Sequence, residues 1–132
     1  PPKEESLSIA RRAAEICRDL NRMTLVIGST DLTHYGYNYG FTPKGVGDEA
    51  VRWVKEVNDR KAVDLMVDMD GPGVIHEALR NYNACCSGAA ASAIEAARVI
   101  GAVRAETIIY STSYDVRPDT SFVGYVGIVF MR

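Results

Sequence analysis

The chain has 132 residues, 47% of them hydrophobic and 24% charged, with a formal net charge of −2. That length fits one domain, which buries about two-thirds of its unfolded surface without a disulfide or metal staple, and the composition excludes a disordered chain. With no Lys/Arg cluster on any expected helix face, nucleic acid and anionic membrane are poor partners, and no apolar run approaches the ~20 residues of a membrane span.

In chain order, residues 4–21 read as a helix. Leu7, Ile9, Ala10, Ala13, Ala14, Ile16, Cys17 and Leu20 recur at helical spacing, and Glu4 and Glu5 sit favourably in the first turn. Met23 to Ser29 is a short continuous apolar run, the pattern of a strand covered on both faces. Thr30 to Lys44 is a loop rich in Gly, Tyr, Asn and Thr, long enough to suggest function. Asp48 caps an expected helix to about Lys61, with a second short helix from Ala62 to Met69. Gly71-Pro72-Gly73 reads as a break before a short helix at Val74–Arg80. Ala89 to Ile100 is a small-residue helix closed by Gly101. Glu106–Ser111 reads as a second buried strand, Asp115–Thr120 as a turn and Phe122–Phe130 as a third strand.

The order α-β-α-α-α-α-β-β favours an α/β layered sheet. The short connection between the last two strands predicts that they pair antiparallel within a mixed sheet. The three cysteines, an odd number with two adjacent, make a poor disulfide framework and point to a reducing, cytoplasmic setting. The opening Pro1-Pro2-Lys3, without an initiator Met, is the pattern expected of a segment of a longer protein or a processed product.

Two places concentrate chemistry. Asp31 and His34 follow the first expected strand, where α/β sheets gather ligand sites beyond their carboxyl ends. Histidine moves protons near neutral pH, and Asp31 either caps the turn or orients the imidazole. The plainer reading is an Asx-turn residue and a satisfied loop histidine. The second place is Asn83-Ala84-Cys85-Cys86-Ser87-Gly88-Ala89, at the entrance of the Ala-rich helix. A helix N-terminus stabilises a thiolate, so a cysteine there suits a nucleophile or a soft metal ligand. The alternative is that small residues and thiols merely pack the helix against the sheet. Tyr35, Tyr37 and Tyr39 flank His34 and either line a cleft or pack the loop. Tyr110-Ser111-Thr112-Ser113-Tyr114-Asp115 reads as ordinary turn chemistry, Cys17 as core and His76 as surface.

Three co-linear stretches carry a resemblance. "VIGSTDLTHYG", "NYNACCSGAAASAIEAARVIGA" and "IIYSTSYDVRPDTSFVGYVGIVF" resemble the strand-and-loop signature, the Asn-x-x-Cys-Gly segment with its helix, and the closing strands of the Memo family. That family includes the AmmeMemoRadiSam system protein B and is related to class III extradiol ring-cleaving dioxygenases. The resemblance runs from about Met23 to Phe130. It implies a three-layer mixed sheet flanked by helices, of which this chain is the C-terminal half. It also implies a metal-dependent redox or dioxygenase-like site using iron or copper. Cys86 would be the metal ligand and reactive thiol, with His34 as acid/base beside Asp31. Two metal histidines, in PHAGY-like and GPSH-like motifs, belong to the family's N-terminal half and have no match here. Gly is replaced at Ser87 and at Tyr114. The expected partner is therefore the missing half, or a second copy in an oligomer. The opposing class is a binding module that holds a peptide or small molecule in the same pocket without catalysis.

Overall fold

The computed structural model describes residues 4–132. Pro1–Lys3, on which the expectation about the chain's opening falls, lie outside the described residues. Helix α1 spans Glu4–Asp19 and packs against α5, which spans Ser87–Val99. Leu7 and Ala14 are buried, and Arg11 donates to Glu95 of α5 at 2.6 Å. Ile9, Ile16 and Leu20 remain exposed, so α1 uses only part of its apolar face.

One helical rod runs through three assigned pieces: α2 (Asp48–Trp53), a π-helical turn (Val54–Asn58) and α3 (Asp59–Val67). No break falls at residue 61. Gly47, not Asp48, occupies the N-cap, and Asp48 lies in the first turn. Helix α4 covers Gly71–Asn81. Gly71-Pro72-Gly73 is therefore its first turn rather than a break. Proline is tolerated there because its missing N–H would be unpaired anyway, and the Asp70 carboxylate accepts from Gly73 N at 2.9 Å as the cap.

The sheet has order β1-β3-β2 and both pairings are antiparallel. Strand β1 is only His34–Tyr35, β2 is Arg104–Thr112 and β3 is Phe122–Met131, with the one-turn helix α6 (Ser113–Val116) between the last two. A register shift falls between Thr107 and Ile109. Helix α3 packs on β2 and β3. Leu32, Val63, Met66, Val74 and Ile94 form the main core beneath it. Ile108 and Ile109 of β2, like Tyr125 and Val129 of β3, stay exposed, so these strands are half-covered rather than buried.

The expected mixed sheet is thus corrected to an antiparallel one, and the reason lies at Met23–Ser29. That run is not a strand. None of its peptide groups pairs with another backbone group among the described residues. Its inner side touches α5, so closely that a Cβ on Gly28 would stand 2.7 Å from the Ala93 Cβ. Its other side is open: Leu25 is 84% and Ile27 80% exposed. Between this run and β3 lies a groove of about 410 Å³, lined by Leu25, Ile27, Met66, Ile94 and Ile128 among others. Among the described residues no helix is long and apolar enough to cross a membrane.

Candidate metal site

Pairing with β3 holds the first of the two loops. Leu32 N donates to Gly124 O at 2.8 Å and Gly124 N to Thr33 O at 3.1 Å, extending the β1–β3 contact by two residues. Leu32, Thr33 and Tyr35 are wholly buried, while Asp31 and His34 are half-exposed. The chain then turns at Gly36, whose φ of +111° favours glycine; a Cβ there would also lie 2.3 Å from Thr120 O. Tyr35 packs the loop: its ring stacks on Phe122 and its hydroxyl donates to Gly45 O and accepts from Lys44 N, both at 2.9 Å. Tyr39 lies over the site, its ring 4.9 Å from that of His34. Tyr37 is exposed.

The second loop, Asn83–Cys86, leads from α4 into α5 and is stitched to the first. Cys85 N donates to Asp31 O at 3.1 Å, and Cys86 N to Thr30 Oγ1 at 2.9 Å. Thr30 Oγ1 in turn donates to Asp31 O at 3.0 Å and stands 3.9 Å from Cys85 Sγ. Two loops more than fifty residues apart are thereby clamped together at Thr30–Asp31.

The result is a cluster of three donors. Asp31, His34 and Cys85 each offer one ligand atom, and these atoms lie within 4.8 Å of one another; His34 Nε2 is 3.4 Å from Asp31 Oδ2. On a tetrahedral ion with bonds of about 2.0–2.3 Å, ligand atoms stand roughly 3.3–3.8 Å apart. Small side-chain rotations would therefore gather all three. Thiolate, imidazole and carboxylate together suit a borderline transition metal, and the exposure of Cys85 leaves one side open for a further ligand. The donor set fits a metal. Cys86 is not a member of the cluster. It precedes α5 as the N-cap residue, with its side chain exposed. Cys86 is the ligand expected from the sequence, whereas this cluster contains its neighbour Cys85, whose N–H is held by the Asp31 carbonyl. His76 is exposed on α4, and Cys17 is half-buried on α1.

Sequence reasoning missed what lies beneath. Asp59 has no exposed surface, yet its carboxylate accepts from Thr33 N (3.0 Å), Thr33 Oγ1 and Tyr110 Oη (2.7 Å). Burial holds its carboxyl above the usual range, and these hydrogen bonds oppose that shift. Burial and the neighbouring Asp59 charge likewise push the Tyr110 phenol up. Asn58, also buried, donates to Thr33 Oγ1 at 3.0 Å and to Asn81 O at 3.1 Å. A signal for Asn58 was available: it is a polar residue midway between Val54 and Ala62 on the apolar stripe of the rod. Asp59 left no comparable trace.

The fold and the cluster define an α/β protein with a metal-type donor set where two loops meet at the start of a short strand. The chain belongs to the Memo-like protein family, whose sequence profile matches residues 2–129. It is 37% identical over 127 residues to a MEMO1 family protein of Thermococcus kodakarensis, covering 94% of this chain and 43% of that one. The MEMO1 family protein of Pyrococcus furiosus is 33% identical over 133 residues, covering 98% and 45%. That of Methanopyrus kandleri is 35% identical over 127 residues, covering 94% and 40%. The chain thus spans less than half the length of these curated relatives.

Proposed function

We propose that the chain contributes Cys85, His34 and Asp31 to a metal-dependent redox or dioxygenase-like site, with iron or copper as the ion. The observation that carries this reading is the convergence of the three donor atoms within 4.8 Å from two separate loops. Of the three, Cys85 would hold the ion, while His34 and Asp31 would stand beside it within reach of a bound substrate rather than bind the ion themselves. When bound, the ion supplies Lewis acidity and one-electron chemistry at its open position. His34 would accept or release a proton at the substrate, with Asp31 orienting its imidazole across the 3.4 Å contact. The Tyr39 ring would exclude water from one side of the imidazole.

The reading extends to a partner. The bare apolar run Met23–Ser29, with its unpaired peptide groups, suits the addition of a strand. The relatives are more than twice as long as the matched segment, so the occupant we propose is a strand from the N-terminal portion of a family-length protein. That portion would also complete the ligand set.

The test is metal retention and turnover. Co²⁺ titration should give a thiolate charge-transfer band that Cys85→Ser removes and Cys86→Ser leaves. His34→Gln should keep the band and lose oxygen uptake with phenolic substrates. Supplying the family's N-terminal portion in trans should tighten binding. No band in either state, with peptide binding intact, would replace the enzyme with a binding module. Self-association in place of capture would make a second copy the occupant.

A further inference from the structure

We propose that Thr33, Asn58 and Asp59 form a buried positioning device that sets the separation between His34 and Cys85. The proposal rests on reading Asp31, His34 and Cys85 as one working site, and it concerns how the two loops of that site are held from below.

The path can be followed bond by bond. Thr33 lies between Asp31 and His34 in sequence. Its N–H and hydroxyl both donate to Asp59 Oδ1, and its hydroxyl oxygen accepts from Asn58 Nδ2. The same Asn58 amide donates to Asn81 O, and the Asn58 carbonyl accepts from Asn83 Nδ2 at 2.7 Å. Asn83 stands two residues before Cys85 and also donates to Glu77 Oε1 at 3.1 Å. Asn58 therefore grips the His34 loop and the last residue of α4 with its side chain, and the Cys85 loop with its backbone carbonyl. Tyr110 fixes the remaining oxygen of Asp59 from β2.

Two features mark this network as made for position rather than for stability. The first is the π-helical turn at Val54–Asn58. Successive residues of an α-helix point about 100° apart, yet Asn58 and Asp59 are both fully buried and both reach Thr33. The widened turn, a device frequent at functional sites, lets two adjacent side chains serve one target. The second is an unbalanced ledger. Asn83 Oδ1 is buried with no hydrogen-bond partner among the described residues. An apolar residue there would avoid that orphan acceptor, but it could not donate to Asn58 and Glu77.

The experiment measures the separation without a metal. In the full protein carrying Cys17→Ser and Cys86→Ser, His34→Cys is joined to Cys85 by a one-carbon bis-methanethiosulfonate, and the crosslinking rate is read. Thr33→Val keeps the shape of the side chain but loses the hydroxyl; the rate should fall roughly tenfold or more, since small misplacements of paired groups have effects of that size. Thr33→Ser should retain the parent rate. Ile75→Val, in the separate core beside α1, should also retain it despite a comparable loss of stability. If Thr33→Val fails to fold, Asn58→Ser, too short to span from Thr33 to the Asn81 carbonyl, is expected to show the same fall. An unchanged rate in the folded hydroxyl-free or shortened variant, or an equal fall in the Ile75 control, would overturn the proposal. Co²⁺ binding by the unmutated protein, measured separately, bears on the metal reading alone, so the two can fail independently.

Discussion

Met23–Ser29 and the floor beneath Thr33 lie a few residues apart and depart from the usual partition of side chains in opposite directions. The first sets Met23, Leu25 and Ile27 in water; the second encloses Thr33, Asn58, Asp59 and Asn83. An exposed apolar row normally marks a surface that another chain covers. A buried polar group persists only where it is paired and where its position matters more than its cost. The comparison teaches that the two regions are incomplete in different senses. The floor pairs its polar groups within this chain except for Asn83 Oδ1, whereas the apolar row is left uncovered by the described residues.

Leucine provides the largest test, because the same residue type occurs in both regions. Leu32 has no exposed surface and Leu25 is 84% exposed. Leu32→Ala should cost about 2–5 kcal/mol by urea denaturation, and a negligible loss would show that the floor is not a packed core. Next in size is Gly124→Ala. An added Cβ would lie 2.0 Å from Asp59 Oδ2 and 3.2 Å from the Leu32 Cβ, so a loss of about 1–3 kcal/mol is expected from overpacking. An unchanged denaturation midpoint would mean that the carboxylate has room to move.

The Asp59 carboxyl gives a finer probe. Its folded pKa is raised above 3.8, chiefly by burial, with the Thr33 and Tyr110 hydrogen bonds acting against the shift. A raised value means that its contribution to stability is full below the unfolded pKa and is lost as pH rises through the folded one. The stability of the parent protein relative to Asp59→Asn should therefore decline as pH increases from about 4 toward 7. Unfolding midpoints across that range would decide it, and the opposite trend would mean that the hydrogen bonds outweigh burial. The smallest expected effect is Leu25→Ala, within about 0.5 kcal/mol for the chain by itself. The same substitution should weaken capture of the proposed N-terminal portion in a pull-down titration, and undiminished capture would remove Met23–Ser29 from that interface.

How much could be read from the residues follows from which forces are local. Helices α1 and α5 and strands β2 and β3 announce themselves through periodicity and a closing glycine at position 101. Gly71-Pro72-Gly73 misleads, because proline at a helix start and proline at a break look alike until the Asp70 cap is seen. Met23–Ser29 has the composition of a strand, but a strand is a relation between two segments, and no backbone group among the described residues pairs with this run. Asp31 and His34 stand out by type and placement. That Cys85 rather than Cys86 joins the cluster is not legible locally, since Cys85 N is held by the Asp31 carbonyl, fifty-four positions away in sequence. Asp59 is hidden more deeply: acids after a polar residue in a helix are usually solvated, yet this one, just beyond the π-turn, is buried.

That turn has an evolutionary edge to it. A π-helical turn holds one residue more than the α-helix on either side requires, so it can be erased by deleting a single codon anywhere in Val54–Asn58. Such a deletion would leave a straighter rod with better hydrogen bonds and a higher intrinsic helicity. It would also swing every residue on one side of the cut by about 100° against the other, taking Asn58 or Asp59 off Thr33. If the positioning of Thr33 matters as proposed, the more regular helix would be the inferior protein, and variants shortened by one residue between Trp53 and Arg60 should be rare among working sequences even where each retains a fold.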